Sequence, residues 1–296
     1  MIHSKSFRRY QLFINSILII VTLIMVLPLV LLFMSSLTSE RALLSSGYSF
    51  LPKEFSLEAY QYIWINRETI FRAYGITIIV TLVGTTANIL MSTMLAFPLS
   101  IKRLPLRNFF SFYVLLTMLF SGGIVPSYLM WTNTFHIKNT IWALILPNLM
   151  MSAMNIMLIR TYFMNSIPDA IYEAAKIDGA SYFTIFRVIV LPLSKPIIVT
   201  VTLFAGLAYW NDWTNGLYYV NDPKLYSIQT LLNKMIQDLQ AIQANSAAAS
   251  NAAGMNIPQI SIRMAIAFVA LLPILIVYPF LQKYFAKGIA LGAVKG

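Results

Sequence analysis

Cysteine is absent from all 296 residues. That excludes a disulfide framework, a thiolate nucleophile and a sulfur-ligated metal. Histidine occurs only at His3 and His136, and two isolated imidazoles do not build a metal site unaided. Charge is scarce too, with Asp, Glu, Lys and Arg at 10% of the chain. No Gly-rich loop ending in Lys-Ser or Lys-Thr occurs, so the chain does not bind ATP in the P-loop manner. What is abundant is apolar: 58% of residues are hydrophobic and mean hydropathy is +0.73. Such a composition suits a bilayer rather than water.

Six stretches are long and apolar enough to cross about 30 Å of hydrocarbon at about 1.5 Å per residue. They run over residues 12–34, 74–99, 109–131, 141–159, 197–213 and 264–281. The expected fold is therefore an all-α membrane protein, a single transmembrane domain over residues 1–296. Lys5, Arg8 and Arg9 precede the first stretch as in a signal peptide, but its apolar run is too long and no small-x-small site follows, so a retained helix is expected. With the N-terminus inside, thirteen of the 21 basic residues fall on one side, among them Lys102, Arg103, Arg107, Arg160, Lys176 and Lys195. That asymmetry places both termini in the cytoplasm. It also accounts for the net charge of +11 without any nucleic-acid partner.

Several spans carry features that a water-filled pathway or tight helix packing would equally use. In the second, Thr77, Thr81, Thr85, Asn88, Ser92 and Ala96 recur every three or four residues beside Gly84, a seam that points into a bundle. Asn88 reads either as a packing hydrogen bond or as a substrate contact. Gly122, Gly123 and Pro126 interrupt the third span, which is tolerated only against protein or a cavity. Pro147, Asn148 and Asn155 raise the same pair of readings in the fourth. The fifth ends in Tyr209-Trp210-Asn211-Asp212-Trp213. Rings beside Asn and Asp suit the apolar faces and hydroxyls of a sugar; an interfacial aromatic belt is the other reading. A near-membrane acid such as Asp212 is a functional candidate by default.

The outer loops differ from each other. Residues 35–73 are polar with mixed charge and three aromatics, Tyr60, Tyr62 and Trp64, and are expected to form a small cap. Residues 214–261 make the longest loop, and its middle, Gln240 to Asn256, is uncharged and rich in Ala, Asn, Gln and Ser, a composition that suits equally an arm reaching outward and a disordered spacer.

The most specific stretch is Tyr172 to Pro192, YEAAKIDGASYFTIFRVIVLP. Ser166 is expected to cap a helix with Pro168 in its first turn and Asp169 near its positive end. Ile167, Ile171, Ala174 and Ala175 follow at helical spacing, Gly179 supplies the left-handed stop, and Ser181 caps a second helix. Spacing alone is compatible with an amphipathic helix lying on the membrane. However, Glu173-Ala174-Ala175, three residues, Gly179, nine residues, Ile189 and then Leu191-Pro192 resemble, position for position, the EAA motif of bacterial ABC import permeases. The C-terminal ending, Leu281 to Gly288 and Gly292 to Gly296, is similar to the tails of maltose-type carbohydrate importer permeases, in the branch that takes up polysaccharides or complex oligosaccharides.

The resemblance implies the type I importer permease fold, six spans with a cytoplasmic coupling helix in segment 166–192. It implies that Glu173, Ala174, Ala175, Asp178 and Gly179 meet a groove of a partner ATPase, with Ile189, Leu191 and Pro192 fixing the approach to the fifth span. Lys287, Gly292 and Lys295 would reach the ATPases as a tail. The expected partners are a second related permease, an ABC ATPase dimer and an extracellular or periplasmic solute-binding protein, into which residues 214–261 would reach. The expected site is the bacterial cell membrane. No cofactor is expected on this chain, since ATP and Mg would sit on the ATPases, and the subunit itself would not be an enzyme. The alternatives are an ABC permease for a non-sugar solute and an ion-coupled secondary transporter. The latter needs buried ionisable groups at mid-span, and the spans hold none apart from Asp212 near an end.

Overall fold

The computed structural model describes residues 5–244 and 259–293. Among these the secondary structure is helical, with a single isolated bridge between Thr38 and Phe55. Helix α1 (Lys5–Ser36) exposes nearly every side chain from Tyr10 to Leu27 and becomes buried only over its last turns. A helix apolar all round is built for a lipid or protein surround. Ser39 caps α2 (Glu40–Ser46), its hydroxyl accepting from the Ala42 N–H at 3.2 Å. After α3 (Glu58–Ile65) comes α4 (Arg67–Ser100), 34 residues long.

The third expected span is two helices. Helix α5 (Arg107–Leu119) and α6 (Ile124–Leu129), the latter running into a π-helical turn over Met130–Thr134, meet at a bend of 107°. Pro126 lacks an N–H and its ring blocks the carbonyl four residues back, so no continuous ladder crosses Gly122 and Gly123. The fourth stretch also departs from expectation. Instead of one helix over 141–159, a single turn, α7 (Trp142–Ile145), gives way to an unwound segment, and α8 (Ala153–Ser166) starts only after it. Pro147 and the left-handed Asn148, at φ 62°, stop the helix there. Helix α8 then packs on α5.

Two short helices follow, α9 (Asp169–Ile177) and α10 (Tyr182–Thr184). A π-helical turn over Ile185–Val190 leads into α11 (Leu191–Leu193). Helix α12 (Lys195–Trp210) leaves that run at 81° and packs on α8. The expected outer loop 214–261 is largely folded in its first part: α13 (Thr214–Tyr219), a 3-10 turn over Pro223–Leu225 and α14 (Ile228–Ala244). The uncharged middle of that loop lies mostly outside the described residues. The last helix, α15 (Gln259–Ala293), contains the sixth expected span. Among the described residues, Tyr10–Ser36 and Arg67–Ser100 are each long and apolar enough to cross a membrane, and the two bent pairs are further candidates.

The chain divides into two compact units, Met1–Ile70 with Leu232–Pro273 and Phe71–Leu231 with Ile274–Gly296. In the first, Phe33 and Phe268 meet with ring centroids 4.7 Å apart. The Glu40 carboxylate there accepts from the N–H groups of Ile260 and Ser261 and from the Ser261 hydroxyl, the last at 2.9 Å. It thereby satisfies orphan donors at the positive end of α15. Among the described residues the second unit has two apolar cores. One gathers Phe97, Leu99, Ile159, Phe163, Ala175, Ile185 and Val190 around the α9 end of the unit. The other gathers Val80, Leu144, Ile145, Tyr209 and Tyr219.

Candidate functional site

Two places in the second unit carry functional candidates. The first is α9 and its surroundings. Helix α8 ends at Ser166, and Ile167, held extended by the proline after it, leads to Pro168 at the N-cap position of α9. Ser166 is therefore the end of the preceding helix and not the expected cap. Asp169 in the first turn and Lys176 in the last complement the helix dipole. At the far end Gly179 takes φ +76°. The Gly179 N–H donates to Lys176 O at 3.0 Å and the Ala180 N–H to Ala175 O at 2.9 Å, the paired bonds of a Schellman stop. The expected cap at Ser181 is present: its hydroxyl accepts from the Thr184 N–H at 3.2 Å.

One face of α9 is anchored. Ala175 is buried against the core, and Tyr172 is half-buried beside it. Burial pushes the Tyr172 phenol above its ordinary pKa, and the Asp169 carboxylate adds to the effect. The other face is open. Glu173, Ala174 and Asp178 are exposed, and Ile177 stands 87% exposed. Water is a costly neighbour for an isoleucine at the tip of a helix whose opposite face is already packed.

Beneath α9 lies the turn that follows α4. Lys102 Nζ is 2.6 Å from Asp169 Oδ2, and Arg103 Nη2 is 3.1 Å from Glu173 Oε1. Asp169 and Glu173 stand one helical turn apart, so adjacent cations on the turn reach both. The sequence reading put Lys102, Arg103 and Glu173 on one side of the membrane but did not pair them. Four-residue acid spacing facing a Lys-Arg pair was the available signal. Ile189 is partly buried and packs on the core, and Leu191-Pro192 lie at the 81° elbow. A proline at 192 cannot bond to the carbonyl at 188, and Pro196 sits in the first turn of α12, where a missing N–H costs nothing. An apolar cleft of about 410 Å³ opens between the end of α4 and the run after α9, lined by Phe97, Ile101, Arg103, Leu104, Phe183 and Phe186.

The second place is the unwound segment between α7 and α8. Its carbonyls have lost their helical partners, and three alternate ones are taken by side chains from three other elements. Tyr209 of α12 donates its hydroxyl to Ile145 O at 2.9 Å. Asn215 of α13 donates its amide to Pro147 O at 3.0 Å. Asn88 of α4 donates to Leu149 O at 2.7 Å, while its own carbonyl accepts from Asn155 Nδ2 at 3.2 Å. Irregular backbone at membrane depth needs this kind of internal satisfaction. The seam on α4 points inward as expected, with Thr77, Asn88, Ser92 and Ala96 all buried. Thr77 accepts from the Ile228 N–H at 2.9 Å and so holds the start of α14. The Tyr209 ring packs so close to Gly84 that no Cβ fits there.

These contacts decide how the expected pathway residues are deployed. Asn88 spends its amide on packing. Gly122 and Gly123 lie at the 107° bend and are exposed. The run Tyr209 to Trp213 does not form one aromatic surface. Because α12 ends at Trp210, Tyr209 and Trp210 face inward, while Asn211 and Trp213 face outward beyond the last turn. Asp212 is half-buried between them and accepts from the Thr214 and Asn215 N–H groups at 3.1 and 3.3 Å, capping α13. Asn215 escaped the sequence reading, for nothing in its neighbourhood marks a donor aimed at a distant carbonyl. Of the expected tail, Lys287 and Gly292 fall on α15, and Lys295 lies outside the described residues. Among the described residues no cluster of three or more His, Asp or Glu is placed to hold a metal.

Residues 87–291 match the model of the family described as binding-protein-dependent transport system inner membrane component. The chain is 37% identical to the polygalacturonan/rhamnogalacturonan transport system permease protein YtcP of Bacillus subtilis (strain 168), over 98% of this chain and 99% of that one. It is 38% identical to protein LplC of the same organism, over 92% and 90%. Among solved structures it is similar to a chain in the crystal structure of a bacterial ABC transporter involved in the import of the acidic polysaccharide alginate. There the TM-score is 0.78 at 28% identity, covering 96% of this chain and 99% of that one.

Proposed function

Because the chain belongs to the family of binding-protein-dependent transport system inner membrane components, we propose that it is the permease subunit through which an ATP-driven importer moves an oligosaccharide or polysaccharide fragment into a bacterial cell. The observation that carries this reading is α9. It is a helix rigidly capped at its C-terminus, anchored on one face, and presenting Glu173, Ala174 and Ile177 outward from the chain. A short helix that presents an exposed isoleucine and a small alanine beside a carboxylate fits a groove on a partner. The similarity to permeases named for polygalacturonan and alginate import supports a carbohydrate substrate.

In this reading the ATPases bind ATP and Mg, and this chain binds neither. Closure of the ATPase dimer moves α9, with Glu173 on the groove surface and Gly179 fixing the end of the helix. The elbow at Leu191-Pro192 carries the motion into α12, and the spans pass from inward-open to outward-open as rigid bodies. A second, related permease completes the pathway, and a solute-binding protein delivers the substrate from outside. Both termini and α9 lie in the cytoplasm of the cell membrane, as the asymmetry of basic residues supports. The C-terminal segment that carries Lys287 and Gly292 is the proposed contact with the ATPases. The exposed Gly122 and Gly123, Asn211 and Trp213 are the pathway candidates that remain available to substrate, and the half-buried Asp212 sets the turn between the last two.

The test is uptake of a panel of labelled oligogalacturonides and neutral oligosaccharides by cells whose native copy has been replaced. Glu173→Lys and Gly179→Asp are expected to abolish uptake while the chain remains in the membrane. Normal uptake by both variants refutes the coupling role.

A further inference from the structure

The two ion pairs under α9 connect to the unwound segment through α4 and the turn that follows it. At one end of α4, four links reach the α8–α11 region. They are Lys102 to Asp169, Arg103 to Glu173, the Arg160 guanidinium to Leu99 O at 3.0 Å, and the Phe97 and Phe186 rings with centroids 5.2 Å apart. Further along α4, Asn88 grips Leu149 O and Asn155. Further still, Thr77 grips the first N–H of α14. Among the described residues, α4 and the turn after it carry side-chain hydrogen bonds both to α9 and to the unwound segment. A helix of this length is stiff along its axis, so a displacement imposed at one end is felt at the other.

We propose that Lys102 and Arg103 are positioning residues that fasten the coupling helix to α4, so that its movement reaches the unwound segment Ile145–Leu149 through Asn88. This rests on the coupling reading above. The elbow into α12 is the route that the chain's connectivity provides; α4 is a second route that only the fold provides. A cation pair on the turn is well suited to the task. Both pairs are exposed, with side-chain accessibilities of 58% and 61% for the first, so each contributes little to stability. Their geometry is what matters: two contacts one turn apart on α9 prevent it from pivoting about either.

The experiment uses the whole importer, purified with its ATPases, second permease and binding protein and reconstituted in liposomes. The ratio of labelled oligogalacturonide transported to ATP hydrolysed is measured. Lys102→Glu places two carboxylates together at Asp169 and is expected to lower the ratio about fivefold, with the ATPase still co-purifying in native amount. The exchange Lys102→Glu with Asp169→Lys is expected to restore the ratio to within about twofold, because it re-forms the pair with its sign reversed. An unchanged ratio in Lys102→Glu overturns the proposal. So does loss of the ATPase from the purified complex, which would make the pair an assembly contact. So, too, does failure of the exchange to restore the ratio. A native complex that hydrolyses ATP and moves no oligosaccharide would instead contradict the functional reading, leaving the link between α9 and α4 to be judged by its effect on hydrolysis stimulated by the binding protein.

Discussion

The coupling helix α9 and the unwound segment Ile145–Leu149 are both short departures from the long helices around them, and they are built in opposite ways. Helix α9 is made from its own neighbours. Pro168, Asp169, Lys176, Gly179 and Ala180 start it, favour its dipole and stop it, all within a dozen residues or so. The unwound segment is made from far away: its carbonyls are held by residues 61, 64 and 68 positions distant in the chain. One is largely exposed and joined to the turn after α4 by ion pairs, whereas the other buries Ile145 and Pro147 and is joined by neutral hydrogen bonds. The exposed helix is thus specified locally, and the unwound segment is specified globally.

The largest effect that separates the two regions is expected from Asn88→Leu. It strands Leu149 O and the Asn155 amide together in a dry interior, at about 2–4 kcal/mol. Thermal unfolding in detergent is expected to shift well below the native midpoint, and an unshifted midpoint would mean that these groups find other partners. Tyr209→Phe comes next, since it removes only the hydroxyl over Ile145 O and is expected to cost about 1–2 kcal/mol. Gly179→Ala has space for its methyl group but holds an alanine at φ +76°, a local cost of about 1–2 kcal/mol. It is expected to speed hydrogen exchange at the end of α9 and to reduce uptake with little change in global unfolding. The smallest effect on stability is expected from Lys102→Ala, at or below about 1 kcal/mol. If its midpoint nonetheless falls as far as that of Asn88→Leu, the contrast between the two regions fails.

The same contrast explains what could be read from the sequence. The EAA register, Gly179, Ser181 and Leu191-Pro192 were legible because each acts on residues beside it. The inward seam on α4 was legible because helical periodicity records burial. The end of α8 at Ser166 was misread because two rules compete at Pro168: a proline suits a first turn, but it also forces Ile167 out of the helix. The break after α7 was visible only as Pro147 and Asn148, and hydropathy averaged over it as though the span were continuous. The aromatic run at Tyr209 to Trp213 looked like one surface because nothing in the sequence says that α12 ends at Trp210 and that the next residues turn. What sequence could not express at all is which donor meets which carbonyl. Tyr209, Asn215 and Asn88 share no spacing, and only the fold brings them to one segment.

The most direct test of the central claim is to purify the tagged chain in mild detergent from its native membrane and identify every polypeptide that comes with it by mass spectrometry. The importer reading predicts an ATPase carrying a phosphate loop together with a second permease, both in fixed proportion to the chain, and loss of the ATPase alone from the Glu173→Lys variant. Recovery of the chain by itself, under conditions that keep other membrane complexes intact, would leave the exposed Ile177 without a partner and contradict the account.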